Sequence, residues 1–215
     1  MPQLDQRKSG RSRGRPRGAA REAILAAAWE LIVEDGLAHL TTREVARRAG
    51  VSEASIFYHF DDKIGLLEAV MVSGLEPLRK LDVDLIERQE NEPVDEMLLD
   101  LATGLERYLG QVLPVVETVQ ADGALRAEFA TRIAKHGLGP QRGVQLVARH
   151  LVAMQRDERA DPDADVEAVG FLLVGACLLR TWHRRVTGTK KRVGMPELPR
   201  VVEALSQLLA PSGDQ

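Results

Sequence analysis

The chain has 215 residues, enough for one large domain or for a small domain followed by a larger one. Only 4% of the residues are aromatic, and Ala, Leu, Glu and Arg are abundant, so the composition favours an all-α fold over a β-rich one. The single cysteine, Cys177, excludes a disulfide framework within the chain, and the longest charge-free apolar run, residues 168–179, is shorter than the about 20 residues that a membrane span needs.

The net charge of −3 conceals a basic N-terminal segment. Residues 1–21 contain seven arginine or lysine side chains and one acidic side chain, and residues 1–17 lack helical periodicity, which predicts a flexible basic arm. Within this arm, Arg13-Gly14-Arg15-Pro16 resembles the core of an AT-hook, in which two arginines lie along a narrow minor groove of DNA. A solvated tail is the alternative interpretation of the same segment.

A first helix is predicted over about residues 19–34, followed by two short helices within residues 41–60. Thr41 and Glu44 have capping-box spacing at the start of the first short helix, and Gly50 supplies the left-handed backbone that ends it. Apolar residues on one side of both helices favour a helix-turn-helix, whose second helix enters a DNA groove, over an ordinary helical hairpin.

The second short helix carries polar and aromatic side chains on its outer faces. Ser52 is expected to cap it, and Ile56 and Phe60 are expected to face the core. The pair Asp61-Asp62 is expected to cap the following helix, which puts Lys63 in the first turn of that helix. The residues left for the outer faces are Glu53, Ala54, Ser55, Phe57, Tyr58 and His59.

Proline and glycine residues divide the remaining tract into further helices, about nine in all for the chain. Residues 74–77 loosen the fourth helix, and Pro114 kinks or ends the fifth. The sequence Asp-Pro-Asp at 161–163 is expected to cap a long apolar helix over about residues 164–186. A last helix is predicted over about residues 196–209, starting at a proline.

A set of residues in the first third of the chain is typical of one family. They are Gly36, Thr41, Thr42, Ala49, Gly50, Val51, Tyr58, His59, Phe60 and Lys63. Through them, residues 18–78 resemble the DNA-binding domain of the tetracycline-repressor (TetR) family of bacterial transcriptional regulators. The resemblance implies that residues 79–215 form a regulatory domain for ligand binding and dimerisation. It also implies a homodimer that binds a palindromic operator, most often as a repressor, and is released by a small-molecule effector.

The resemblance and the local chemistry together predict the DNA contacts. Thr42 is expected to donate to a phosphate, and Arg43 to reach a phosphate or a guanine edge. The recognition helix begins at Glu53, which can accept a hydrogen bond from a cytosine amino group, and Phe57 can touch a thymine methyl group. Phe57 stands where the family usually carries Tyr, so the phosphate contact of that hydroxyl is missing. The candidate DNA-binding residues are Arg13, Arg15, Thr42, Arg43, Glu53, Ala54, Ser55, Phe57, Tyr58, His59 and Lys63.

The last two predicted helices are apolar enough to need a partner surface, and packing against their copies in a second subunit gives a four-helix bundle. The interface residues predicted there are Phe171, Val174, Leu178, Val201, Val202, Leu205 and Leu208. A largely apolar effector would bind among the middle helices, although an ordinary core is the alternative interpretation of each lining residue. The candidates are Met71, Met97, Tyr108, Phe129, Met154 and Trp182.

Catalytic motifs are missing from the sequence. There is no GxxxxGK[ST] loop, GxSxG elbow or HExxH helix, and the five histidines include no pair four residues apart that would suit a metal. We therefore expect a cytoplasmic protein that is not an enzyme and has no metal or cofactor. Its expected partners are DNA, a small molecule and a second copy of the chain. An architectural DNA-binding protein without a ligand, and a helical enzyme or carrier, are the alternatives.

Overall fold

A computed structural model describes residues 17–34, 40–88, 92–188 and 194–211. Within these ranges the chain forms ten α-helices and no strand, which confirms the all-α prediction. The helices are α1 (Arg17–Glu34), α2 (Thr42–Ala49), α3 (Glu53–Phe60), α4 (Lys63–Gly74), α5 (Glu76–Arg88), α6 (Val94–Gln120), α7 (Gly123–His136), α8 (Gln141–Arg156), α9 (Val166–Thr187) and α10 (Leu198–Gln207).

The first three helices form a small unit that rests on α4. Helix α1 packs against α2, α3 and α4, and its residues Ile24 and Leu31 are fully buried. Helix α2 buries Val45 against this core, and α3 buries Ile56 and Phe60, as the sequence predicts. The outer faces of α2 and α3 are thereby left to solvent.

Helix α6 is the central element of the remaining structure, because α4, α5, α7, α8, α9 and α10 all pack against it. It runs through Pro114, so of the two alternatives predicted for this proline, a kink or a helix end, the helix end is wrong. Val112, Val115 and Val119 are buried around the proline, and this packing outweighs the loss of one backbone hydrogen bond.

Two helix starts differ from the prediction. The tract at 74–77 separates two helices, because α4 ends at Gly74 and α5 begins at Glu76 with Pro77 in its first turn, where a proline is tolerated. The long apolar helix is capped by Asp165, whose carboxylate accepts from the Ala168 N–H at 2.9 Å, and not by Asp161. Asp161 instead accepts from the Asp163 N–H, which shapes the preceding turn.

Helix α9 is long and apolar enough, by length and composition, to cross a bilayer, although the charge-free run within it is shorter. This is weak evidence, because the core helix of a soluble protein passes the same test. Helix α9 packs against α6, α8 and α10, and it buries Leu173, Cys177 and the charged side chain of Arg180 there. The helix is therefore part of the protein core on one side.

Candidate nucleic-acid interface and effector region

The connection between α2 and α3 has the backbone geometry of a helix-turn-helix. Thr41 Oγ1 accepts a hydrogen bond from the Glu44 N–H at 3.1 Å, which caps α2. Gly50 has φ 67° and ends α2, and the Val51 N–H then donates to the Ala46 carbonyl at 3.0 Å. A side chain at Gly50 would be strained at this φ, so the sequence interpretation of the turn is confirmed.

Helix α3 presents its N-terminal turn to solvent. Glu53 and Ala54 are exposed, and the rings of Phe57 and Tyr58 are 48% and 66% exposed although both are large and apolar. Isolated hydrophobic residues at a surface are ordinary, but two adjacent aromatic rings on one short helix form a patch that favours contact with another molecule.

Two side chains at the start of the motif are engaged differently from the prediction. The Thr42 hydroxyl donates to Glu53 Oε1, so its single proton is occupied and a phosphate contact would require that bond to break. Ser52 does not cap α3 with its side chain, because its hydroxyl lies 2.8 Å from the Ser55 hydroxyl. Arg43 is exposed on α2 beside this arrangement.

The far end of α3 leads into α4 through a tight turn. Asp61 ends α3 with φ 63°, and Asp62 caps α4 by accepting from the Gly65 N–H at 2.7 Å. His59 lies edge-on to Tyr58, with ring centroids 5.1 Å apart, and Lys63 follows in the first turn of α4, as predicted. The three residues predicted to contact phosphates therefore lie close together in the chain, at the end of α3 and the start of α4. They are Tyr58, His59 and Lys63. Arg13 and Arg15 lie outside the described residues.

An ionic link joins α4 to α7. Arg132 donates to Asp62 Oδ2 at 2.5 Å and also binds Glu128, while the His136 Nδ1 lies 3.1 Å from Glu68 Oε1. Partial burial raises the pKa of the Asp62 carboxyl, but the hydrogen bonds from Gly65 and Arg132 outweigh this effect, so its pKa lies below the ordinary value. Sequence reasoning missed this link, since its partners are separated by about 70 residues and no local pattern connects them.

A buried ion pair connects α6 and α9. Arg180 Nε donates to Glu106 Oε1 at 2.5 Å, and the Arg180 guanidinium also donates to the Pro196 carbonyl in the segment that precedes α10. Cys177, one turn earlier, is fully buried, and burial raises the pKa of its thiol to about 12. This thiol is therefore protonated at neutral pH and serves as a small core residue.

The residues predicted to line an effector pocket separate into three groups. Met71 lines a cavity of about 210 Å³ between α1, α4 and α6. Met97, Phe129 and Met154 are packed in the hydrophobic core, and Tyr108 is half-buried against it. Trp182 is 50% exposed on α9, so the prediction that it lines an internal pocket is wrong: its position on α9 turns it outwards.

The predicted dimer-interface residues also divide. Phe171, Leu178 and Leu208 are exposed, and Val201 is half-buried. Three others are buried inside the protomer and therefore cannot offer a surface to a second subunit; they are Val174, Val202 and Leu205. Helical periodicity identifies an apolar stripe but does not show which part of a wide stripe packs internally. Exposed apolar residues that the sequence-based choice missed are Leu172, Leu179 and Val186.

Comparison with known sequences points to the same motif. A family model described as bacterial regulatory proteins, tetR family, matches residues 24–70, from α1 into α4. The HTH-type transcriptional regulator SrpR of Pseudomonas putida is 38% identical over 58 residues, which are 27% of this chain and 27% of that protein. The chain thus matches about a quarter of the length of this relative.

Comparison with solved structures extends over most of the chain. A TetR-family regulator from Mesorhizobium loti has a TM-score of 0.70 at 18% identity, covering 91% of this chain and 99% of that one. The transcriptional regulator FadR from Bacillus subtilis, solved in complex with stearoyl-CoA, has a TM-score of 0.59 at 16% identity, covering 90% and 99%. At these identities the likeness shows the fold alone.

Proposed function

We propose that the chain is a member of the tetR family of bacterial transcriptional regulators, and that it is a repressor that binds a palindromic operator as a homodimer and leaves it when a small molecule binds. The main observation behind this proposal is that the N-terminal turn of α3 is exposed. The turn at Gly50 and the buried side chains of Ile56 and Phe60 fix the position of this helix. The major groove of DNA, about 12 Å wide, admits such a helix, and base edges in it distinguish all four base pairs.

Base recognition is assigned to the exposed start of α3. The Glu53 carboxylate accepts a hydrogen bond from a cytosine amino group, and the Phe57 ring contacts a thymine methyl group. Phosphate contacts fall to Tyr58, His59 and Lys63, which fix the register of the helix in the groove without reading sequence. Arg43 contributes a further charge from the exposed face of α2.

Homodimerisation is supported by the outer faces of α9 and α10. Phe171 is 67% exposed and Leu208 58% exposed, and further large apolar side chains on α9 are exposed beside them. An apolar surface of this kind is rare on a monomer and common at interfaces. Two copies of α9 and α10 pack as a four-helix bundle. A two-fold axis then sets the two recognition helices about one helical turn of DNA apart, which is why the operator is palindromic.

Release by an effector is supported by helix α4, which contacts both α3 and the regulatory helices. Helix α4 follows α3 after one turn and packs against α6 and α7. A ligand that moves these helices therefore changes the position of α3. The likeness in fold to a regulator solved with stearoyl-CoA agrees with an effector that is largely apolar. We assign residues 79–215 to this regulatory role, so that the boundary at 78 falls in the first turn of α5.

The experiment that tests this function is selection of bound fragments from a random DNA library by the full chain. The expected result is enrichment of an inverted repeat whose half-sites lie one helical turn apart. Glu53→Ala should change the base preferred at one position in each half-site. Ala127→Phe, on the exposed surface of α7, is the control and should select the wild-type repeat. Enrichment of unrelated or non-repeated sequences would contradict the proposal.

An architectural DNA-binding protein is the second candidate, and the basic arm favours it. In that case residues 1–16 supply most of the affinity, through sequence-independent contacts with phosphates and with the narrow minor groove. Deletion of residues 1–16 leaves α1 complete and distinguishes the two functions. A repressor should lose affinity but select the same repeat, whereas an architectural protein should lose nearly all binding.

A further inference from the structure

A cavity lies where the DNA-binding helices meet the regulatory helices. Its volume is about 210 Å³, and its walls come from α1, α4 and α6. Leu25, Met71 and Val112 give it an apolar surface, and all three are buried in the core. Ala26 also lines the cavity and is exposed, which places it at the mouth. Of the six residues predicted to line an effector pocket, Met71 alone is in this wall.

Two polar side chains in the cavity wall are available to a ligand. Trp29 and Gln111 both carry hydrogen-bonding groups, and in the described part of the chain no hydrogen bond is found for either side chain. Ser73, the other polar residue in the wall, already donates to the Val70 carbonyl at 2.8 Å. A mostly apolar cavity with a few unpaired polar groups is the usual composition of a small-molecule site.

The lack of a side chain at Gly74 of α4 leaves space for one of these polar groups. A Cβ atom added at Gly74 would lie 3.3 Å from Gln111 Oε1, closer than most side-chain contacts. Gly74 thus leaves room for the Gln111 amide between α4 and α6. Any larger residue there would push the amide away from the wall.

The size of the cavity limits what it can hold. An apolar protein cavity of about 150 Å³ binds benzene, so about 210 Å³ suits a slightly larger planar molecule. We propose that this cavity binds a compact aromatic molecule of about two fused rings that carries one hydroxyl or amide group. The apolar walls, including the Trp29 ring, hold the rings, and the Gln111 amide pairs with the polar group.

The location of the cavity gives its ligand a regulatory role. This regulatory role, unlike the binding site itself, rests on the proposed repressor function. Trp29 belongs to α1, which packs on α2 and α3, whereas Gln111 belongs to α6. An occupant that contacts both residues favours one separation of α1 and α6. If DNA binding favours another separation, ligand and operator weaken each other's binding by the same factor.

Titration calorimetry of the full chain with 2-naphthol tests the site itself. The wild type should bind it, and Ala26→Phe, which places a ring at the mouth, should abolish binding. Ala127→Phe makes the same change at an exposed alanine on α7 and should bind as the wild type does. Gln111→Met keeps the length of the side chain and removes the amide, so affinity for 2-naphthol should fall about five-fold. Affinity for naphthalene should not fall.

The outcomes separate the site from the repressor function. Absence of binding by the wild type, or equal binding by Ala26→Phe, would overturn the site whatever the protein does on DNA. Where 2-naphthol binds, it should weaken operator affinity in the wild type and leave Ala26→Phe unaffected. Binding to the wild type without any change in operator affinity would overturn the regulatory part. Failure to find any operator would instead count against the proposed function, since calorimetry measures the site without DNA.

Discussion

At the scale of single residues, most of the geometry of the candidate DNA-binding surface follows from neighbouring residues in the sequence, but one hydrogen bond does not. The backbone at Gly50 and the cap at Thr41 follow from neighbouring residues, and both were predicted. The hydrogen bond from Thr42 to Glu53 links two helices across 11 positions, so no cap or periodicity rule reveals it. Its consequence is that Thr42 holds the Glu53 carboxylate, and we expect it to act on base choice through that residue.

Thr42→Val is the substitution that tests this role, because it removes the hydroxyl and preserves the shape. Without its partner, Glu53 should read its base less selectively, so preference at one operator position should broaden while affinity for other sequences changes little. Lys63→Ala is the contrasting variant: it should weaken binding to all sequences and reduce the slope of log affinity against log salt by about 0.9. If Thr42→Val instead lowers affinity equally for all sequences and leaves base preference intact, Thr42 contacts a phosphate, as the sequence predicts.

At the scale of elements, the junction of α3 and α4 depends on a close backbone approach. A Cβ atom at Gly65 would lie only 2.1 Å from the Phe60 carbonyl oxygen, so part of the junction must move to accept it. Gly65→Ala should therefore lower the free energy of unfolding by about 1–3 kcal/mol. Gly110→Ala is the matched control within α6, where nothing lies within 4 Å, and it should raise stability by about 0.5–1 kcal/mol. Denaturant unfolding measures both, and equal effects would refute the tight junction.

The link between α4 and α7 predicts a dependence of stability on pH. Because the folded-state pKa of Asp62 lies below its ordinary value, its contribution is present above the ordinary range of a carboxyl group and is lost as pH falls through the folded-state pKa. Asp62→Asn can still cap α4 but loses the ion pair with Arg132. It should be less stable than the wild type at pH 7 by at most about 1 kcal/mol, since the pair is partly exposed. The difference should shrink as pH falls below the ordinary range of a carboxyl group and vanish below the folded-state pKa of Asp62, and a constant difference would contradict this assignment.

At the scale of the whole molecule, the proposed dimer interface has to be tested at residues that are exposed in the protomer. A charge at Leu205 would unfold the chain, because that side chain is only 6% exposed and packs internally. Phe171→Glu instead places the charge on an exposed position of α9. Sedimentation should show a monomer with the helix content of the wild type. Val33→Glu, on the exposed end of α1, is the control and should remain dimeric; a dimeric Phe171→Glu would rule out this face.

The sequence is sufficient to predict the class of fold and the helix-turn-helix, because glycine turns, caps and apolar periodicity act over a few residues. It is insufficient where the burial of a side chain depends on packing between helices that are distant in the sequence. Periodicity places Val174 and Val202 in a dimer interface although both side chains are buried within the protomer, and it places Trp182 in a pocket although its side chain is exposed on α9. The cavity beside Trp29 depends on the meeting of three helices, which no single stretch of sequence encodes.

The two tryptophans of the chain lie at two different places where this protein is expected to change state. Trp182 is half exposed on α9, and Trp29 forms part of the cavity wall between α1 and α6. A single indole remains in each of the variants Trp182→Phe and Trp29→Phe. The emission wavelength of the first then follows events in the cavity, and that of the second follows association of the subunits, so the chain contains its own separate optical reporters of the two processes.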